Sequence, residues 1–180
     1  MRILVTGAGG FVGRYLAREL AGHKHEVLAF DLRLRPPVDG AASGTVGDLQ
    51  DPDVVRKVFK MSRPDACIHL GGIAFVPAGN ADPASVLAVN TMGTIHVLQA
   101  LREYAPAARL LVISTAQVYA PAPGGRLLDE DTPLRPVTLY AISKAAADLA
   151  TLGYAQKYKI HAMTARPNNH TGPGQSPDFV

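Results

Sequence analysis

Cysteine occurs once in this chain, at Cys67, so no disulfide can form within it. The thiol lies in an apolar, strand-like run and reads as a small core residue, not a nucleophile. A cytoplasmic location fits that cysteine usage. Blocks of like charge are also missing. The formal charge is only +3, with Lys and Arg scattered, so no nucleic-acid surface is expected. No charged leader precedes an apolar stretch, and no apolar run approaches the ~18 residues of a membrane span, so neither a signal sequence nor a membrane partner is expected. No two histidines stand at metal-ligand spacing, so no metal site is expected. His23 and His25 read as exposed residues at a helix end. No internal repeat or low-complexity tract stands out.

What remains is an ordinary globular composition, 47% hydrophobic and 18% charged over 180 residues. That length suits one domain with a sizeable core. The strongest pattern is at the start. Ile3, Leu4 and Val5 form a short apolar run of the kind a strand covered on both faces needs. Gly7, Gly10 and Gly13 follow at every third position, and helical spacing resumes with Val12, Leu16 and Leu20. A strand, a glycine turn and a helix start together expose backbone N–H groups where a pyrophosphate can bind.

The same alternation continues along the chain. The pattern predicts a helix over Phe11–Gly22 and a strand over Glu26–Asp31, then a short strand over 44–49 and a helix over 51–60 with Asp51 as its cap. A strand over 66–70 follows, then a long helix over 82–104 and a strand over Arg109–Ile113. An irregular stretch over 120–137 holds four prolines and the Gly124-Gly125 pair. Such a long loop usually has a job, although Asp129, Glu130 and Asp131 within it read as solvated acids. A helix over Leu139–Tyr158 and a strand over 160–165 complete the series, and residues 166–180 read as loop. Strands alternating with helices indicate parallel βαβ units, hence an α/β fold with a doubly wound, mostly parallel Rossmann sheet. Ligands of such sheets bind beyond the carboxyl ends of the strands. That places Gly7, Asp31, Asp48, Gly71, Thr115 and Asn169 among the residues of interest.

Two further features carry chemistry. Asp31 follows Gly13 by 18 positions, near the ~20 expected of an acid that grips a ribose diol. It would repel a 2′-phosphate, which favours NAD, although Arg14, Arg33 and Arg35 are near enough in sequence to leave NADP possible. Tyr140 and Lys144 stand at i and i+4 on a helix and share a face. An ammonium beside a phenol lowers the phenol's pKa from its usual value near 10, so that it can exchange a proton with a substrate hydroxyl or carbonyl. His69, at a strand end, reads as a structural histidine with fixed partners.

A glycine cradle, a ribose acid, a strand-end hydroxyl and a Tyr/Lys pair, in this order, resemble the short-chain dehydrogenase/reductase superfamily. The chain looks most like its extended branch, the NAD-dependent epimerases and dehydratases. Thr6 to Gly13 is similar to T-G-x-x-G-F-x-G. Asp48-Leu49 resembles the adenine-contacting pair. His69-Leu70-Gly71-Gly72 resembles a run beside the adenosine and phosphates. Asn90 resembles the Asn of N-x-x-G-T, and Ser114 to Tyr119 resembles S-[ST]-x-x-V-Y. Arg166 to Gly174 is similar to R-P-F-N-x-x-G-P-G. The resemblance implies Thr115, Tyr140 and Lys144 as catalytic residues. It implies Gly7, Gly10, Phe11, Val12, Gly13, Asp31, Asp48, Leu49, Leu70, Gly71, Gly72, Ala74, Asn90, Ser114, Tyr140, Lys144 and Pro167 as cofactor contacts. Thr115, Gln117, Tyr140 and Asn169 are implied as contacts to a nucleotide-sugar, a GDP- or UDP-hexose.

Two departures refine that picture. Ala116 and Gln117 stand where the 4,6-dehydratases carry acids, which disfavours dehydration and leaves 4-epimerases and 4-keto-6-deoxy-sugar reductases. Asn168 replaces the usual aromatic beside the nicotinamide. The His170 to Gln175 run and the Asp178-Phe179-Val180 ending look most like GDP-4-keto-6-deoxy-mannose reductases. Members of this branch run well beyond this length, so the expected organisation is a dinucleotide-binding domain over 1–166 and the start of a largely missing substrate portion over 167–180. A non-catalytic NAD(P)-binding half-length protein is the alternative expectation. The branch also implies a homodimer through the two long helices.

Overall fold

In a computed structural model of the chain, residues 1–74, 82–120 and 127–177 are described. Gly124, Gly125 and residues 178–180 lie outside them. Six strands form one parallel sheet in the order β3-β2-β1-β4-β5-β6. They are β1 (Arg2–Thr6), β2 (Glu26–Asp31), β3 (Ala41–Val46), β4 (Ala66–His69), β5 (Arg109–Ile113) and β6 (His161–Ala165). The connecting helices are α1 (Phe11–Gly22), α2 (Pro52–Ser62), α3 (Pro83–Leu87), α4 (Gly93–Tyr104) and α5 (Leu139–Tyr158). The direction of winding reverses at β1, whose neighbours are β2 and β4. Such a reversal opens a crevice at the carboxyl ends of the strands.

Both faces of the central strands are buried, which is why they read as unbroken apolar runs. Ile3, Val5, Val27 and Ala29 pack under α1 with Ala17. Leu4, Leu28, Phe30, Cys67, Leu110 and Val112 pack on the other face under α2 and α4, with Phe59, Leu98 and Leu101. Cys67 is fully buried there, and burial pushes its thiol far above its usual range, so it is a core residue as expected.

Three elements differ from the sequence pattern. The third strand runs Ala41–Val46, not 44–49, and almost all of it is exposed. An exposed edge strand carries no burial alternation to mark its ends. A register shift between Val27 and Leu28 moves its pairing further. The 82–104 helix is divided: α3, with Asp82 as its cap, is joined to α4 by a π-helical turn over Ala88–Met92. The Pro83–Tyr104 run is long and apolar enough on average to cross a membrane. Here it carries the buried polar residues Asn90 and Thr94 and packs against α2 and α5. The remaining boundaries agree to within two residues, and Asp51 caps α2 by accepting from Asp53 N–H (3.0 Å) and Val54 N–H (3.1 Å).

Candidate functional site

The carboxyl ends of β1, β4, β5 and β6 open into one cleft of about 770 Å³. Its floor is backbone. After Thr6 the chain turns at Gly7 with φ +71°, which L side chains rarely adopt. A Cβ on Gly7 would stand 2.6 Å from Gly71 N, and one on Gly13 would stand 2.3 Å from the Gly7 carbonyl oxygen. These two glycines are demanded by the protein's own packing. Gly10 is different: the nearest protein atom to its missing Cβ is 3.2 Å away, and it lines the cleft. Gly10 caps α1 with no side chain to accept from the first turn, so the N-terminal amides of that helix are left for a ligand. An anion fits this cradle.

Gly9 was not singled out by the sequence pattern, yet it is among the most constrained. A Cβ there would lie 2.3 Å from the Arg33 carbonyl oxygen. Its N–H donates to Asp31 Oδ2 (2.9 Å), while Arg33 N–H donates to Oδ1 (3.1 Å). Asp31 thus closes the end of β2 against the glycine turn, beside the cleft and not in its lining. Arg14 is committed elsewhere. Its guanidinium donates to the carbonyls of Gly9, Pro36 and Pro37 at 2.9 to 3.0 Å, which removes it as a partner for a 2′-phosphate.

A buried chain of hydrogen bonds ties the floor to the helices. Thr94 Oγ1 donates to the Asn90 carbonyl (2.6 Å), so it must accept from His69 Nε2 (3.0 Å). His69 Nδ1 therefore accepts from Thr6 Oγ1 (2.6 Å), which in turn accepts from Gly71 N–H (3.2 Å). Burial, with the Lys144 charge nearby, lowers the His69 pKa to about 3. His69 is neutral, with its proton on Nε2, and structural as expected. Asn90 continues the chain: its amide NH₂ donates to the Ile73 carbonyl (3.0 Å) and Ser143 Oγ (2.9 Å), and its carbonyl oxygen accepts from Ile73 N–H (2.7 Å). Ser143 Oγ donates to the Tyr140 carbonyl (2.7 Å).

Side chains form the far wall. Thr138 caps α5 through Ala141 N–H (3.1 Å), placing Tyr140 in the first turn and Lys144 one turn on. Thr115, just beyond β5, accepts from Gln117 N–H (3.2 Å), which leaves its hydroxyl proton to give. Ser114 Oγ is buried with no partner among the described residues. Lys144 is 8% exposed. Its Nζ lies 4.0 Å from where a Cβ on Gly72 would stand. Burial pushes the Lys144 ammonium down to about 8, opposed by the charge of Asp148.

The Tyr140 phenol departs from the expectation. Burial holds it above its ordinary value, and the group that pulls it back is the Thr115 hydroxyl, not Lys144. A phenol partly withdrawn from water loses hydration its anion needs, and that cost outweighs the Thr115 hydrogen bond.

Of the residues singled out beforehand, the cleft gathers Gly7, Gly10, Phe11, Val12, Gly13, Leu70, Gly72, Ala74, Ser114, Thr115, Gln117, Tyr140, Lys144, Pro167 and Asn169. Five stand outside its lining. Besides Asp31, Gly71 is packed against Leu49 and the glycine turn. Leu49 belongs to the α2 core. Asp48 accepts from Gln50 N–H (2.8 Å). Asn90 is turned inward to Ile73 and Ser143. Ile73, Ile113, Asn168 and the 170–171 and 174–176 stretches also line the cleft. The turn leading there rests on α1, where Tyr15 OH donates to the Pro173 carbonyl (2.8 Å).

Arg166 opens one of the motifs, but Asp148 and its pairing with Arg166 gave no signal in the sequence. Asp148 is fully buried and accepts from Arg166 Nε (2.8 Å), Arg166 Nη2 (3.1 Å) and Thr164 Oγ1 (3.2 Å). Arg166 Nη1 donates to Tyr119 OH and to the Glu130 carbonyl. Among the described residues no cluster of His, Cys, Asp and Glu could hold a metal ion.

These features define a dinucleotide-binding α/β protein with a Tyr/Lys pair over its cleft, and the comparisons agree. The sequence pattern of the NAD dependent epimerase/dehydratase family matches residues 3–180. The chain belongs to that family, whose cofactor is NAD. It is 36% identical to the GDP-6-deoxy-D-mannose reductase of Pseudomonas aeruginosa, over 99% of this chain and 55% of that protein. It is 33% identical to a dTDP-glucose 4,6-dehydratase of Streptomyces niveus, over 99% of this chain and 56% of that one. The crystal structure of Thermus thermophilus UDP-glucose 4-epimerase, solved with NAD, superposes with a TM-score of 0.90 at 31% identity, over 98% of this chain and 58% of that one. The chain spans about half the length of the curated relatives it matches.

Proposed function

We propose that this chain binds NAD in the cleft and belongs to a nucleotide-sugar oxidoreductase that moves hydride at a hexose carbon. The observation that carries this reading is the single cleft joining an uncapped helix N-terminus to Thr115, Tyr140 and Lys144. The pyrophosphate would lie against Gly10 to Gly13, the open Cβ direction of Gly10 admitting it. Asp31, at the β2 end, would receive the adenosine ribose, and the commitment of Arg14 to backbone carbonyls supports NAD over NADP. Bound nicotinamide would supply the hydride donor or acceptor.

The chain's own residues do the rest. Tyr140 gives or takes the proton of the reacting hydroxyl. Thr115, whose hydroxyl proton is directed at the Tyr140 side of the cleft, donates to the same oxygen, and the unpartnered Ser114 Oγ stands beside it. Lys144 holds a ribose hydroxyl and keeps the wall positively charged. Gln117 and Asn169 face the sugar side. Neutral Ala116 and Gln117 cannot remove the proton that dehydration requires, so the reading favours a 4-epimerase or a 4-keto-6-deoxy-sugar reductase. The substrate class is a GDP- or UDP-hexose. Ile142, Leu149 and Leu152 are exposed along one face of α5, which supports a homodimer through α4 and α5.

The test is NAD titration of the purified chain, followed by turnover assays with GDP-, UDP- and dTDP-sugars and a Tyr140→Phe variant. The expected outcome is NAD binding in both proteins and hydride transfer slowed about 10²-fold or more in the variant. Equal rates would overturn the role given to Tyr140. NAD binding without turnover on any sugar would favour a non-catalytic half-length dinucleotide binder, the reading that the 55% coverage of its relative leaves standing.

A further inference from the structure

The Tyr140 face of α5 does not end at Lys144. Asp148 lies one turn further on the same face, fully buried, with a carboxylate that must be answered. Arg166 answers it through two donors, and Thr164 adds a third. The Asp148 charge is still felt at Lys144, where it works against burial. The groups facing Lys144 among the described residues are few. Tyr140 and Asp148 are on its own helix, neutral His69 reaches it electrostatically from β4, and Arg166 is beyond Asp148 at the end of β6. Asp148 is the anion in that set.

We propose that Asp148 is a positioning residue for the Tyr140–Lys144 pair: its buried carboxylate, one helical turn from Lys144 on the same face, keeps the ammonium charged, and Arg166 sets how much of that negative charge Lys144 receives. This rests on the reading of Tyr140 and Lys144 given above. Arg166 also ties the arrangement to the far wall. It donates to Tyr119 OH, just after the Thr115–Gln117 turn, and to the Glu130 carbonyl. Its own residue leads into Pro167, whose carbonyl accepts from Ala116 N–H (2.9 Å). One buried carboxylate therefore governs the charge of the amine and, through the guanidinium, the place of the turn that carries the Thr115 hydroxyl.

The experiment titrates Lys144 directly in the full chain, by NMR of ¹³C-labelled lysine, with its peak assigned by loss in Lys144→Met. In the parent the midpoint is expected at about 8. In Asp148→Asn it falls toward about 7, because an opposite charge beside an ionisable group is worth about one pH unit or more. In Arg166→Met it rises, because the carboxylate then acts on Lys144 without competition. Opposite movements in the two variants are the signature of charge control. A purely structural ion pair would weaken the fold in both and leave the midpoint near 8 in each, and that result would overturn the proposal. If Asp148→Asn does not fold, the direction in Arg166→Met decides. NAD titration of the same samples separates the two readings. A parent that fails to bind NAD removes the cofactor reading and leaves the Lys144 result standing.

Discussion

The two sides of the cleft are built from different materials. The β1 side is backbone: glycines, a left-handed turn and the amides of a helix start. Its precision comes from close approach, since a Cβ on Gly7 or Gly13 would stand within 2.6 Å of another residue's backbone. The β5–β6 side is side chain: Thr115, Tyr140, Lys144, Asp148 and Arg166. Its precision comes from burial and charge, with Lys144 and Asp148 in the nearly dry interior. A side made of backbone can be disturbed by one methyl group but hardly by pH. A side made of buried ionisable groups tolerates methyl groups and answers to protons.

That contrast can be broken by substitution. The largest effect belongs to Gly13→Ala, whose new methyl meets the Gly7 carbonyl at 2.3 Å. A loss of about 3 kcal/mol is expected from such overpacking against rigid backbone, read as a lower denaturant midpoint. Gly10→Ala, with 3.2 Å of room, should keep most of the stability and lose NAD affinity instead. Equal destabilisation by the two would remove the distinction between packing glycines and a ligand-facing one.

A smaller effect, read by pH, belongs to the buried network that ties the glycine floor to the helices. His69 is held neutral, its pKa lowered from 6.5 to about 3 by burial and then by the Lys144 charge. Below pH 6.5 the unfolded chain takes up a proton that the native chain refuses. The stability from keeping this ring neutral is therefore complete above 6.5 and drains away as pH falls toward about 3. The expected slope is about 1.4 kcal/mol per pH unit from this one group. It should vanish in His69→Gln, measured as denaturant midpoints from pH 7 to 4. A variant with the parent's slope would place the acid sensitivity elsewhere.

Much of this was legible in the chain. Ile3–Val5 announced β1 because a strand buried on both faces has no polar alternation to blur it. Gly7, Gly10 and Gly13, with Thr115, Tyr140 and Lys144, do converge on one cleft. The edge strand β3 slipped by three residues because exposure leaves no periodic mark. Asn90 fitted a motif but faces inward, since a motif fixes position and not the direction of an amide. Arg166 was marked by a motif, but its pairing with Asp148 stayed hidden for a simple reason. An acid in a helix and an arginine 18 residues later show no relation until the fold buries the carboxylate against the guanidinium. The expected phenol depression failed on the same ground, because burial is a property of the fold and not of an i, i+4 spacing.

The π turn at Ala88–Met92 has a consequence for the helix that contains it. It inserts one residue without adding a turn, which advances the phase of everything after it by about 100°. Before the insertion, α3 faces α5. After it, α4 turns toward both α2 and α5 and sends Val97, Leu98 and Leu101 into the core. A strictly periodic helix would present one stripe to one neighbour. The phase slip gives a single rod two stripes, and at the joint between them stands Asn90, able to reach the Ile73 backbone on one side and Ser143 on the other.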